Sequence, residues 1–187
     1  MNYPQYTNII QICFLPDNEM KMPNDMFEWV DIEHQGKIFK TILSSNLCWE
    51  PVMDCYISNC KVRNDIPILH LDMHGDKDGF GKDPNEIIGW DRLVKKISEL
   101  NQACNGRLFL SLNVCKGLQI YNNIVNCNSI SLQTIGSNED VNAGDGKRRF
   151  LKLYLEYFTG KDMNNAINAF FDEPKLYPEH GSFELKY

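Results

Sequence analysis

Apolar residues along the chain fall into short runs separated by stretches of helical period. The runs at 8–15 (NIIQICFL), 67–73 (PILHLDM) and 108–114 (LFLSLNV) are too short for helices and read as buried strands. The first is apolar on both faces and stopped by Pro16, so it is expected inside a sheet. Residues 37–43 alternate weakly and fit either a strand or a helix start. The spacing of Trp49, Met53, Tyr56, Ile57 and Cys60 predicts a helix over 49–62, with Pro51 tolerated in its first turn. Leu93, Val94, Ile97 and Leu100 form one stripe of a helix over 90–104, with Asp91 in the first turn and Gly106 after its end. Further helices are expected over 118–125, over 148–158 (ended by Gly160) and from a cap at Asp162 through Phe171. Met26, Phe27, Trp29 and Val30 mark the start of another. Strands are expected over 129–135 and 182–187.

Strands alternating with helices predict a mostly parallel sheet covered on both faces, a three-layer α/β/α sandwich. Nothing in the sequence marks a repeat, a linker or a second domain, so 1–187 reads as one domain. The unit from 67 to 117 organises it. A strand, a crossover helix and a second strand make a parallel pair, and His74-Gly75 and Cys115-Lys116-Gly117 follow the two strands. Both then lie at the carboxyl-terminal sheet edge, where open α/β sheets carry their sites.

Charge and cysteine content narrow the function classes. The net charge of −6 argues against a nucleic-acid backbone as partner. No segment approaches about 18 consecutive apolar residues, so no membrane span is expected. The start, Met1-Asn2-Tyr3-Pro4, lacks the basic and apolar regions of a signal peptide. The seven cysteines are odd in number and form no CxxC pair, which fits a cytoplasmic protein with buried thiols better than a disulfide framework or a zinc ribbon.

A thiol attacks a carbonyl only after losing its proton, and a neighbouring imidazole can take that proton. His74 and Cys115 suit these roles, and the N–H groups of Gly75 and Cys115 suit an oxyanion hole. The alternative is an unrelated turn histidine and buried cysteine. His74 to Gly79 also resembles the start of a calcium loop, but it begins with His and carries Asn85 at the twelfth position, so an acidic hairpin tip is the better reading. His70 and His74 would lie about 13 Å apart along a strand, too far for one zinc, and His70 reads as a core residue. Gly81-Lys82 is followed by Asp83 and makes no phosphate loop, and neither GxGxxG nor GxSxG occurs.

The segments Ile68 to Gly75 and Arg107 to Gly117 resemble the strand-His-Gly and strand-Cys-x-Gly motifs of the caspase-like cysteine peptidases. Within that superfamily the chain is most similar to the bacterial CHAT domains. Their Gly-rich hairpin after the histidine and following helix are matched by 75–85 and by Ile88-Gly89-Trp90-Asp91-Arg92-Leu93. Their later strand, Ser-rich loop and Phe-bearing helix are matched by Ser131 to Ser137 and Phe150. The resemblance spans about residues 65 to 170. It implies a caspase-like fold, a Cys115/His74 dyad that hydrolyses a protein substrate without a cofactor, and a regulatory partner protein. An inactive, protein-binding relative is the alternative. Several relatives carry Asp two residues before the nucleophile to bind a basic P1 side chain; here that residue is Asn113. Either Glu139 and Asp140 supply the acidic charge, or the P1 residue is small or polar. The second is preferred, because turn carboxylates are usually solvated.

Overall fold

The first apolar run forms strand β1 (Asn8–Phe14), buried along its whole length, with Leu15 half-buried just after it; β1 lies between β2 (Ile38–Ile42) and β3 (Pro67–Asp76). The expected interior strand is therefore observed. The computed structural model describes residues 3–21, 28, 30, 37–127 and 132–187, with only the backbone of 125–127. The helix start expected at Met26, Phe27 and Trp29, residues 129–131 of the strand expected over 129–135, and the Cys127 side chain lie outside the described residues.

After β2, a short 3-10 turn (Asn46–Cys48) leads into helix α1 (Trp49–Arg63). Asn64 stops α1 by adopting a left-handed φ of 54°, a conformation asparagine tolerates well. Beyond β3 come β4 (Gly79–Gly81), β5 (Ile87–Gly89) and α2 (Trp90–Ala103). Then follow β6 (Phe109–Asn113), α3 (Gln119–Cys127) and β7 (Gln133–Gly136). Helices α4 (Ala143–Phe158) and α5 (Met163–Asp172) precede β8 (Glu184–Lys186).

The main sheet runs β2-β1-β3-β6-β7-β8. Its first five strands are parallel and β8 is antiparallel to β7. The end of β3 extends past the sheet into an antiparallel ribbon with β4 and β5. The stretch read as an acidic hairpin tip rather than a calcium loop is a hairpin, with Lys77 and Asp78 at its turn.

Period-two alternation splits the strand residues between two cores. Ile10, Ile12, Leu69, Leu71, Leu110 and Leu112 pack on one face, against Trp49, Met53 and Ile57 of α1, Leu93 and Ile97 of α2, and Ile120 and Ile124 of α3. Ile9, Ile68, Phe109 and Ile135 pack on the other, against Phe150 and Tyr154 of α4 and Ile167 and Phe170 of α5. This is a three-layer α/β/α sandwich, as the alternation of elements predicts. Phe150 is fully buried against the rings of His70, Phe170 and Phe183, and truncating it to Ala would cost about 3–5 kcal/mol.

Helix α4 begins five residues earlier than its apolar period predicts. Gly144 and Gly146 weaken the helical signal, yet the Asn142 side chain caps the first turn by accepting from the N–H groups of Gly144 and Asp145. Gly146 has a further reason to be there. A Cβ at this position would fall 1.9 Å from Asn113 Oδ1, so glycine lets α4 press against the end of β6.

Candidate active site

The face of the sheet beneath α4 becomes polar in steps towards its carboxyl-terminal edge. Ile9, Ile68 and Phe109 share the lowest row of β1, β3 and β6. Gln11, His70 and Ser111 share the next, and Cys13, Asp72 and Asn113 the one after. The pairing of β3 with β6 ends there; β3 runs on through His74, and Cys115 lies in the turn just after β6, so both expected residues stand at the same sheet edge.

Their closeness depends on Gly75. A Cβ there would fall 1.7 Å from the Cys115 carbonyl oxygen and 2.8 Å from its carbon. No side chain fits, so β3 and the turn after β6 meet backbone to backbone. That turn is held from the far side as well. Lys116 adopts a left-handed φ of 54°, its N–H donates to Glu139 O (2.9 Å), and Leu118 N–H donates to Ser137 O (2.9 Å). The loop after β7 thus fixes the backbone that carries Cys115.

His74 and Cys115 line the same cleft, of about 570 Å³, together with Asp72, Asn113, Glu19 and Val141. Lys21 and Lys147 stand in it too. The Cys115 thiol is partly buried and lies 3.8 Å from Val141 O. Burial raises its pKa above the usual thiol range, against a hydrogen bond with the Val141 backbone, and the negative charge of Asp140 adds to the rise. The resting thiol therefore keeps its proton and requires a base. The imidazole of His74 has its Nε2 3.1 Å from Glu19 Oε2, and no hydrogen bond joins it to Cys115 in this state.

Below the pair sits a buried carboxylate. Asp72 is 1% exposed and accepts from Gln11 Nε2 (2.9 Å) and Asn113 Nδ2 (2.9 Å), with His70 Nε2 at 3.2 Å. Burial pushes its pKa up, but His70, Gln11 and Asn113 together outweigh that and hold it below the usual carboxylate range. His70 Nδ1 is 2.7 Å from the Tyr154 hydroxyl, and its ring packs edge-on against Phe150 and Tyr154. His70 is a core histidine, as expected, and its Nε2 stands beside the Asp72 carboxylate.

The structure thus brings together His74, Gly75, Cys115 and Asn113. It does not bring Glu139 and Asp140 into the cleft. The Asp140 carboxylate is 69% exposed and faces Lys116 Nζ at 3.8 Å. The Glu139 side chain packs beside Gly181. Sequence reasoning missed Asp72 and Glu19. Asp72 left a signal: it interrupts an apolar strand at period two between two histidines. Glu19 left none, being one polar residue in an aperiodic turn.

Among the described residues no group of three or more His, Cys, Asp or Glu side chains is placed to hold a metal ion, and no helix is long and apolar enough to cross a membrane. No protein-family model matches the chain, and no curated protein matches it either.

Proposed function

We propose that this protein is a caspase-like cysteine endopeptidase, close to the CHAT group, that hydrolyses peptide bonds of a protein substrate in the cytoplasm under control of a partner protein. The observation that carries the reading is the backbone contact between Gly75 and Cys115. It sets a histidine and a cysteine side by side at the carboxyl-terminal edge of a parallel sheet, over one cleft. In this reading Cys115 gives its proton to His74 and attacks the scissile carbonyl. The oxyanion rests against the N–H groups of Gly75 and Cys115. His74 then protonates the leaving amine, and water, deprotonated by His74, releases the acyl group. No step calls for a cofactor.

The cleft suits a small or polar P1 residue. Asn113 spends its amide N–H on Asp72, and Asp72 is already occupied by Gln11 and His70. The other acidic residue in the cleft, Glu19, engages His74. No described carboxylate remains in it to offset the desolvation of a basic side chain, which costs several kcal/mol when unpaired.

The protonated, partly buried resting thiol also fits the rival reading, a protein-binding module without activity. Thiol reactivity separates the two. In an active enzyme iodoacetamide alkylates Cys115 faster than any other cysteine, and His74→Ala slows that reaction at least tenfold. Equal rates for Cys115 and the exposed Cys55, unaffected by His74→Ala, would leave only the binding module.

A further inference from the structure

The geometry points to Glu19 as a positioning residue of the site, one that fixes the ring of His74 and balances the charge it acquires; this rests on the peptidase reading. Glu19 lies in the turn that follows β1, a strand that supplies neither member of the dyad. Its Oε2 is 3.1 Å from His74 Nε2, a hydrogen-bonding distance. Among the described residues His74 is its only ion-pair partner. The turn that presents it is anchored: Glu19 N–H donates to Pro16 O (2.9 Å), and Met20 beside it is buried.

A carboxylate accepts and does not donate, so the contact assigns the proton of neutral His74 to Nε2. Nδ1 is then left with its lone pair for the thiol. The proton count closes on this assignment. The thiol proton moves to Nδ1, giving an imidazolium whose Nε2–H points at Glu19 while the sulfur attacks the carbonyl. Nδ1–H is next given to the leaving amine as its bond to carbon breaks. Nδ1 afterwards takes a proton from the water that attacks the acyl group, and returns it to the departing sulfur. Nε2 keeps its proton throughout, and Glu19 is never protonated. Glu19 is therefore not a catalytic residue; it acts through His74.

Its place between two hollows fits this role. Glu19 and His74 line both the 570 Å³ cleft and a second hollow of about 410 Å³ beside the β3–β5 ribbon. Other charges face the imidazole from both sides: Lys21, Lys147 and the buried Asp72 in the cleft, and Asp76, Lys82 and Asp83 in the second hollow. Of the acidic ones, only Glu19 is within ion-pair distance of His74. The two side chains are about half exposed, at 48% and 43%, so solvent keeps the coupling modest.

The test uses the full chain and needs no substrate. Alkylation of Cys115 by iodoacetamide is followed by peptide mass spectrometry from pH 5 to 9 in the unaltered protein, Glu19→Gln, Glu19→Ala, His74→Ala and His74→Ala/Glu19→Ala. Circular dichroism confirms that each is folded. Glu19→Gln keeps a hydrogen-bond acceptor without the charge. It should slow alkylation at pH 7 about threefold to fivefold and move the half-maximal pH up by about half a unit. Glu19→Ala should slow it at least as much. In the His74→Ala background, removing Glu19 should change nothing, because its effect passes through the imidazole. A merely structural role would show the same loss in both backgrounds and would overturn the inference. Faster alkylation in Glu19→Ala would overturn it too, since Glu19 would then be holding the ring away from the thiol. If His74→Ala slows alkylation but neither Glu19 variant does, Glu19 has no role and the peptidase reading stands. If His74→Ala has no effect, the peptidase reading falls and this inference with it.

Discussion

A methyl group on Gly75 would lie 1.7 Å from the carbonyl oxygen of Cys115. The partner atom is backbone, held in turn by the loop after β7, so it cannot step aside as a flexible side chain would. Gly75→Ala must therefore push β3 and the Cys115 turn apart. Such overpacking costs about 1–3 kcal/mol. The expected result is a lower midpoint of chemical denaturation together with loss of selective Cys115 alkylation. A Gly75→Ala protein of unchanged stability and reactivity would show that the two strand ends are not in contact.

The cysteines divide by position. Cys115 lines a cleft, so Cys115→Ala removes the nucleophile without opening a core cavity. It should abolish hydrolysis of a true substrate and change stability by less than about 1 kcal/mol. Cys13 is fully buried, with its sulfur 3.8 Å from Asp72 Oδ2. Cys13→Ala should do the reverse, keeping activity and losing about 1–2 kcal/mol. Thermal denaturation and a peptide-hydrolysis assay on both variants check the pair.

How far the sequence could be read follows from what each signal encodes. Period-two and period-3.6 patterns report burial, and most elements follow from them: β1, β3, α1, α2 and β6 lie within two or three residues of expectation. Strand-end placement made His74 and Cys115 legible, because parallel βαβ units have one handedness and one site edge. Helix α4 was read short because its first turn is set by the Asn142 cap and by contact of Gly146 with Asn113, neither of which has a period. Glu139 and Asp140 follow the strand after Cys115 and looked close to it. In the fold the Glu139 carbonyl accepts from Lys116 N–H and the Asp140 carbonyl from Gly181 N–H, while the Asp140 side chain faces Lys116 and the Glu139 side chain packs beside Gly181. Glu19 is brought to His74 only by the tertiary fold, across more than fifty residues of chain.

Asp72 should govern part of the acid stability. Its pKa is depressed in the folded state, so its contribution is complete above the unfolded value, near 4, and is lost as pH falls below that through the folded value. Asp72→Asn removes this term and leaves Gln11, His70 and Asn113 without their charged acceptor. Breaking one partner of such a buried group costs about 3–5 kcal/mol at neutral pH. Urea denaturation at pH 7 and pH 3 should show a large loss in the variant at pH 7 and a smaller gap between the two proteins at pH 3. An equal gap at both would mean that Asp72 is not ionised in the fold.

The last prediction concerns P1 selectivity and the residue two before the nucleophile. Asn113 is bound to Asp72, with its Nδ2–H on Asp72 Oδ1 at 2.9 Å and its Oδ1 against Gly146. Replacing it by Asp would not create a free acidic pocket. It would remove the N–H and set two carboxylates within hydrogen-bond distance of each other, where one must take up a proton. Asn113→Asp should therefore be less stable at pH 8 than at pH 5 relative to the unaltered protein, because a carboxyl with a raised pKa loses its stabilising proton as pH rises. In a peptide library the unaltered protein should prefer small or polar P1 residues over Arg or Lys. Strong selectivity for Arg that disappears in Glu139→Gln or Asp140→Asn would contradict this. It would require those side chains, now outside the cleft, to swing into it when substrate binds.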